Sequence, residues 1–335
     1  MIRKIKKPYL IAEIGGNHEG NLTYAKKLID LAVKSQVDCI KLQIYSQKSL
    51  VNKNLDPDRY NHFKKFSLKT DEYLLLAKYI KSKGIDFSAS IWDPSLINVF
   101  KKYVKFYKIG SGDLTAFDIL DTIIRTNKKI ILSTGLSSIK QISKTINFFK
   151  KYKNYDYKKK LILLHCTSLY PNDFSNVNLM AINQLKNMFG LEIGYSDHCL
   201  DDSAIFYSLI NNVKVIEFHF TDDKSRDFRD HQLSLNYEDI NELRKKISKY
   251  NTILGQKNKT VLQYEKKENH HISFRRGLYL NRNVSKSEII KKRDLVTLRP
   301  YKGICASEYF NIIGKKAKKN LKKLDPLSLK NFYEN

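Results

Sequence analysis

Short apolar runs recur along the chain, and each is followed by a stretch with helical spacing. The runs are Tyr9–Ile14, Cys39–Tyr45, Asp86–Trp92, Phe106–Ile109, Lys129–Leu132, Leu161–Leu164, Glu192–Tyr195 and Val215–Phe218. Runs this short and this rich in Ile, Leu, Phe and Tyr suit buried parallel strands. Between them, Leu22–Ser35 places Ala25, Leu28, Ile29 and Ala32 on one helical face. Thr70 opens a helix that closes before Gly84, and Asp93-Pro94 reads as an N-cap and first helical residue. Ser138 with Gln141 matches a capping box ahead of Ile142, Ile146 and Phe149. Leu200–Asn211 has room for a short helix. Eight strand–helix repeats predict an α/β fold, a (β/α)₈ barrel over residues 1–250. The competitor is an open doubly wound sheet. No G-x-G-x-x-G opens a helix, which argues against its dinucleotide-binding form.

The pattern changes after Tyr250. Residues 251–271 are rich in Lys and Gln with no apolar period and read as a linker. Residues 272–335 form a small second module with short runs at Gly277–Leu280, Ile289–Ile290 and Leu295–Leu298. Its basic stretch Lys315–Lys323 reads as a solvated helix face.

Polar residues collect where the barrel strands end. In chain order they are Glu13, Asn17 and His18; Lys41 and Gln43; Ser90; Lys108 and Ser111; Ser133, Thr134 and Gly135; His165, Thr167, Ser168 and Tyr170. The last two strands add Ser196, Asp197, His198, Glu217 and His219. A single strand lysine or histidine is usually a satisfied structural group. A polar residue at every strand end marks the face where barrels do chemistry, and buried Lys or Glu is costly unless paired or used. Lys41, Lys108 and the serines suit a ligand with a phosphate and a carboxylate. Residues 193–221 form a β-α-β unit that delivers His198 and His219, with Asp197 and Glu217 close by. That pair suits a divalent metal such as Mn²⁺, Zn²⁺ or Fe²⁺.

Charge changes this picture little. The net charge is +27, carried by 50 lysines against 11 arginines. Nucleic-acid readers favour arginine and concentrated patches, and no helix-turn-helix, RNP or KH pattern is present. Lysine spread over helix surfaces is the simpler reading, although the field still draws in an anionic substrate. Four cysteines, none in a C-x-x-C pair, fit a reducing cytosol. No apolar stretch is long enough for a membrane span, and no signal peptide is expected at the N-terminus.

Several stretches resemble the sialic acid synthases, the enzymes that make nonulosonic acids. They are IAEIGGNHEGN (11–21), IKLQIY (40–45), YKIGSGD (107–113), ILSTG (131–135), LLHCTSLYP (163–171), IGYSDH (193–198) and IEFHFT (216–221). The C-terminal module resembles that family's antifreeze-like (SAF) domain around Gly277 and Arg299-Pro300. The resemblance implies condensation of phosphoenolpyruvate with an N-acetylated hexosamine, ManNAc or a 2,4-diamino relative, with phosphate leaving by C–O cleavage. It implies His198 and His219 as ligands of Mn²⁺, with Mg²⁺ or Co²⁺ as alternatives. Lys41, Ser90, Lys108, Ser133 and Ser196 would cradle phosphoenolpyruvate. Glu13, Gln43, Tyr170 and Asp230 would contact the sugar or handle protons. Ser111, Asp113, Ser168 and Glu217 join the expected ligand contacts. Arg299 would reach the sugar across a domain-swapped homodimer. Three positions depart from the family pattern: Arg229 in Asp227–His231, Asp113 for a glutamate and Ser168 for an asparagine. A metal-dependent barrel aldolase or lyase that does not use phosphoenolpyruvate is the competing enzyme, and a basic nucleic-acid-binding protein is the non-enzymatic alternative.

Overall fold

The structure, a computed structural model, describes residues 7–227, 229–256 and 258–333; Phe228 and the Arg229 side chain lie outside that description. The chain divides into two units, Met1–Gly255 and Gln256–Asn335.

The first unit is a closed barrel of eight parallel strands in sequential order. They are β1 (Tyr9–Glu13), β2 (Cys39–Ile44), β3 (Asp86–Ile91), β4 (Phe106–Ile109), β5 (Lys129–Ser133), β6 (Leu161–His165), β7 (Glu192–Ser196) and β8 (Val215–His219). β1 closes the ring on β8 with Glu13 opposite His219, and pairs with β2 with Glu13 opposite Lys41. The helices form where capping chemistry places them. The Asn21 side chain accepts from Tyr24 N–H ahead of Leu22–Lys34, which buries Ala25, Leu28, Ile29 and Ala32. Ser138 and Gln141 cap each other ahead of Ile139–Lys150. The segment expected as one helix after Leu200 is a short helix, Ser203–Ser208, continued by the tighter turn Leu209–Asn211.

Alternation along the strands makes two cores. Leu10, Ala12, Ile40, Leu42, Tyr107, Ile109, Ile216 and Phe218 pack outward against the helices. The other parity faces inward, where Ile11, Cys39, Phe106, Ile131, Leu164 and Val215 form a separate apolar plug. Two residues on, the same parity gives Glu13, Lys41, Lys108, Ser133, Cys166 and Glu217. The barrel interior is therefore apolar at the strand starts and polar at their ends. Gly194 completes the plug, because a Cβ there would run into the Val215 carbonyl and the Leu164 side chain.

Three sequence readings need correction. The segment read as a linker begins inside the helix Tyr237–Leu254 and carries two short helices, Gln263–Lys267 and His270–Ser273. The basic stretch at Lys315–Lys323 is not a helix. It is an irregular stretch held by isolated bridges, Ile289 to Lys316, Val284 to Leu321 and Ala317 to Phe332. Ala317 and Leu321 are buried in the small core of the second unit, and a spacing of four suits a helix as well as a strand, so the bridges to distant segments set the form. Third, the stretch between β2 and β3 carries helices the apolar pattern did not reveal, Gln47–Leu50 and Pro57–Phe66.

The second unit is built on an antiparallel pair, β9 (Gly277–Leu280) and β10 (Leu295–Leu298). Its core includes Leu278, Leu280, Val284, Ile290, Ile304, Ile312 and Phe332. Among the described residues no helix is long and apolar enough to cross a membrane.

Candidate active site

A cavity of about 420 Å³ opens at the C-terminal ends of the barrel strands, a volume in the range of small-ligand sites. Four charged groups lie at its floor. Lys41 pairs with Glu13, its register partner, and with Glu217 Oε1 at 3.2 Å. Glu217 Oε2 stands 3.3 Å from Lys108 Nζ. Lys108 also donates to Ser133 Oγ (2.6 Å) and the Ile109 carbonyl (3.0 Å). All four charged residues are at most 5% exposed. Burial pulls Lys41 down to about 8 against the upward pull of Glu217. Burial also resists ionisation of Glu217, but Lys108 and Lys41 outweigh it and hold its carboxyl at about 2. The result is two ammonium groups held close together by one shared carboxylate, Glu217.

Hydroxyls surround this floor. Ser90, Ser111, Ser133, Ser168 and Ser196 all line the cavity. Ser111 Oγ accepts from Gly135 N–H at 3.1 Å and touches Cys166 Sγ at 3.1 Å. Gly135 has no side chain because a Cβ would collide with Ser168 Oγ and Ser111 Oγ. Gly15 N–H donates to Glu13 Oε1 and fixes the carboxylate.

The histidines stand beside this floor, His219 two residues after Glu217 on β8 and in register with Glu13. His198 and His219 have ring centroids 5.5 Å apart, and Tyr170 packs on His198 at 4.1 Å. His198 Nδ1 lies 2.8 Å from the Thr167 carbonyl. A carbonyl only accepts, so Nδ1 carries the proton and Nε2 keeps its lone pair. Burial, with His219 beside it, lowers His198 to about 4, so the ring is neutral. Asp230 approaches His219 at 4.0 Å. Among the described residues no three His, Cys, Asp or Glu side chains converge as a metal cage. A neutral imidazole locked by a backbone carbonyl is nonetheless the form in which histidine takes a metal.

Every barrel residue singled out from sequence as a site candidate lines this one cavity: Gln43, Asp113, Tyr170 and Asp230 alongside those above. Other strand-end residues do not. Asp197 turns away and accepts from Tyr195 OH at 2.6 Å. His165 bonds the Val177 carbonyl at 2.8 Å, and Asn17 donates to the Phe220 carbonyl and Ser234. Arg299 belongs to the second unit, where its guanidinium lies 5.9 Å from the Phe274 ring. The sequence reading missed Leu50, Arg59, Phe63, Trp92, Leu136 and Cys166, all of which line the cavity. Trp92 and Cys166 were findable, since they continue the inward parity of Ser90 and Leu164. Arg59 and Phe63 were hidden with their helix.

The model of the NeuB family matches residues 28–259, and that of the SAF domain matches residues 275–332. The N,N'-diacetyllegionaminic acid synthase of Campylobacter jejuni is 33% identical, covering 95% of this chain and 98% of its own. The synthase of the same name from Legionella pneumophila is 34% identical, covering 93% and 91%. Among solved structures, N-acetylneuraminic acid (sialic acid) synthetase from Leptospira borgpetersenii superposes with a TM-score of 0.71 at 30% identity, covering 79% of this chain and 91% of that one.

Proposed function

The chain belongs to the NeuB family, and we propose that it condenses phosphoenolpyruvate with an N-acetylated hexosamine and water to give a nonulosonic acid and phosphate. One observation carries the reading: Lys41 and Lys108, buried and flanked by serines, share a cavity with two histidines. Phosphoenolpyruvate brings a carboxylate and a phosphate, and the two ammonium groups with the surrounding hydroxyls match that charge. Glu13, Gln43, Tyr170 and Asp230 hold the sugar and manage its protons. The enol methylene attacks the sugar's aldehyde carbon and forms the new C–C bond. The cation left at the enol carbon takes up water, and its C–O bond to phosphate then breaks.

His198 and His219 would hold a divalent ion, Mn²⁺ first, and when bound it acts as a Lewis acid on the aldehyde. The donor set fits, because two imidazoles, with that of His198 held neutral by burial and the Thr167 carbonyl, leave open positions for substrate and water. The identity to two N,N'-diacetyllegionaminic acid synthases favours a 2,4-diacetamido hexosamine over ManNAc. The working unit is a two-fold dimer in which Arg299 of one copy reaches the sugar bound by the other.

The test is phosphate release from phosphoenolpyruvate with ManNAc, ManNAc 6-phosphate and 2,4-diacetamido-2,4,6-trideoxy hexoses. With ¹⁸O in the bridging position, the label leaves with phosphate. No release with any sugar refutes the reading, and label retained in the sugar acid refutes C–O cleavage.

A further inference from the structure

Trp92 follows β3 directly, and its backbone is fixed from both sides. Its N–H donates to the Ile44 carbonyl at 3.0 Å, one step beyond the strand. Asp93, the next residue, caps the helix Pro94–Phe100. The indole packs on Tyr45, with centroids 5.2 Å apart, and meets Phe63 edge-on at 6.4 Å. Its Nε1–H donates to Asp113 Oδ2 at 2.6 Å. Asp113 ends the single turn Ser111–Asp113 that follows β4. Both side chains line the cavity.

An indole N–H can only donate, so its partner must be an acceptor. A carboxylate makes the bond charge-assisted and about twice as strong as a neutral one. Burial pushes the Asp113 carboxyl up, and the Trp92 bond and the Lys108 charge pull it back. A phenylalanine at 92 would supply the same aromatic wall and none of this hold.

We propose that Trp92 is a positioning residue for the condensation: its indole N–H pins one oxygen of Asp113 and leaves the other turned toward an O–H donor of the bound substrates. The inference rests on the function proposed for this cavity. It concerns a residue that touches no reacting atom and acts through Asp113.

The test is a double-mutant cycle on the full chain, read as kcat/KM from phosphate release. Trp92→Phe keeps the ring and removes the donor, so kcat/KM falls roughly 10- to 100-fold, the range for a hydrogen bond to a charged group. On an Asp113→Ala background the same change alters kcat/KM by no more than about twofold, the scatter of uncoupled sites. Equal losses in both backgrounds, or a Trp92→Phe enzyme indistinguishable from wild type, overturn the proposal. A second readout needs no turnover. The chain has one tryptophan, so its emission reports this indole alone. The Asp113→Ala spectrum shifts from wild type; superimposable spectra overturn the contact. If no sugar supports phosphate release, the proposed function falls, and the emission comparison still decides the contact.

Discussion

Glu217→Gln keeps the shape of a side chain that bridges two buried lysines and removes only its charge. At 3.2 and 3.3 Å, each contact carries about 5 kcal/mol of attraction at an effective dielectric of roughly 20. Desolvation cancels much of this, and removing one member of a buried pair costs about 3–5 kcal/mol. The loss has a ceiling, because a lysine can release its proton. Lys41 already lies at about 8, so giving up its proton at pH 7 costs only about 1.4 kcal/mol. Lys108, tied to Ser133 and the Ile109 carbonyl, carries the remainder. We expect a loss of about 3 kcal/mol at pH 7, or roughly 6–12 °C in the Tm of the barrel.

The sign of the pH dependence follows from Lys41. Burial holds its folded value, about 8, below the ordinary 10.5, so its charge opposes folding. That opposition is complete below pH 8 and fades as pH rises from 8 to 10.5. Above 8 wild-type Lys41 also loses its proton and no longer needs Glu217. The gap between variant and wild type therefore narrows between pH 7 and 9.5. Phosphoenolpyruvate replaces the lost negative charge and raises the variant's Tm by more than the wild type's. Thermal melts at both pH values, with and without phosphoenolpyruvate, measure all of this. Equal Tm values at pH 7, or a gap that widens with pH, would refute the reasoning.

Excess EDTA abolishes phosphate release and Mn²⁺ restores it, while His219→Ala loses activity with an unchanged far-UV spectrum; full activity in chelator removes the metal from the account. Gly15→Ala costs about 1–3 kcal/mol, because the new Cβ would stand 2.8 Å from the Gln43 backbone nitrogen and strike Glu13; kcat falls about 100-fold as both side chains shift, and wild-type kinetics would refute the fit. His219→Ala and Arg299→Ala, each inactive alone, regain activity when their subunits exchange. A mixture that stays inactive with exchange confirmed removes the swapped dimer.

The site was legible in the sequence because a strand has period two. Ile11 and Glu13, Cys39, Lys41 and Gln43, Phe106 and Lys108, and Val215, Glu217 and His219 each share a parity, so naming the plug also names the floor above it. The same rule corrects Asp197. It lies between Ser196 and His198 with the opposite parity, and its bond to Tyr195 OH turns it out of the cavity. The period gave out where the chain left the strands, and there Asp113 and Asp230 were reached only through the family resemblance. Arg59 and Phe63 reach the cavity from Pro57–Phe66, a helix in which no residue is buried, so no apolar stripe announced it. The bridged tail at Lys316–Leu321 failed for a related reason. Two buried residues among lysines carry too little pattern to separate a strand from a helix, and only pairing with distant segments settles the form. The residues that surround the floor therefore come from two sources of unequal visibility. Strand ends supply the charges and are fixed by the barrel. Loops and short helices supply the outer wall, where Arg59, Phe63 and Trp92 stand.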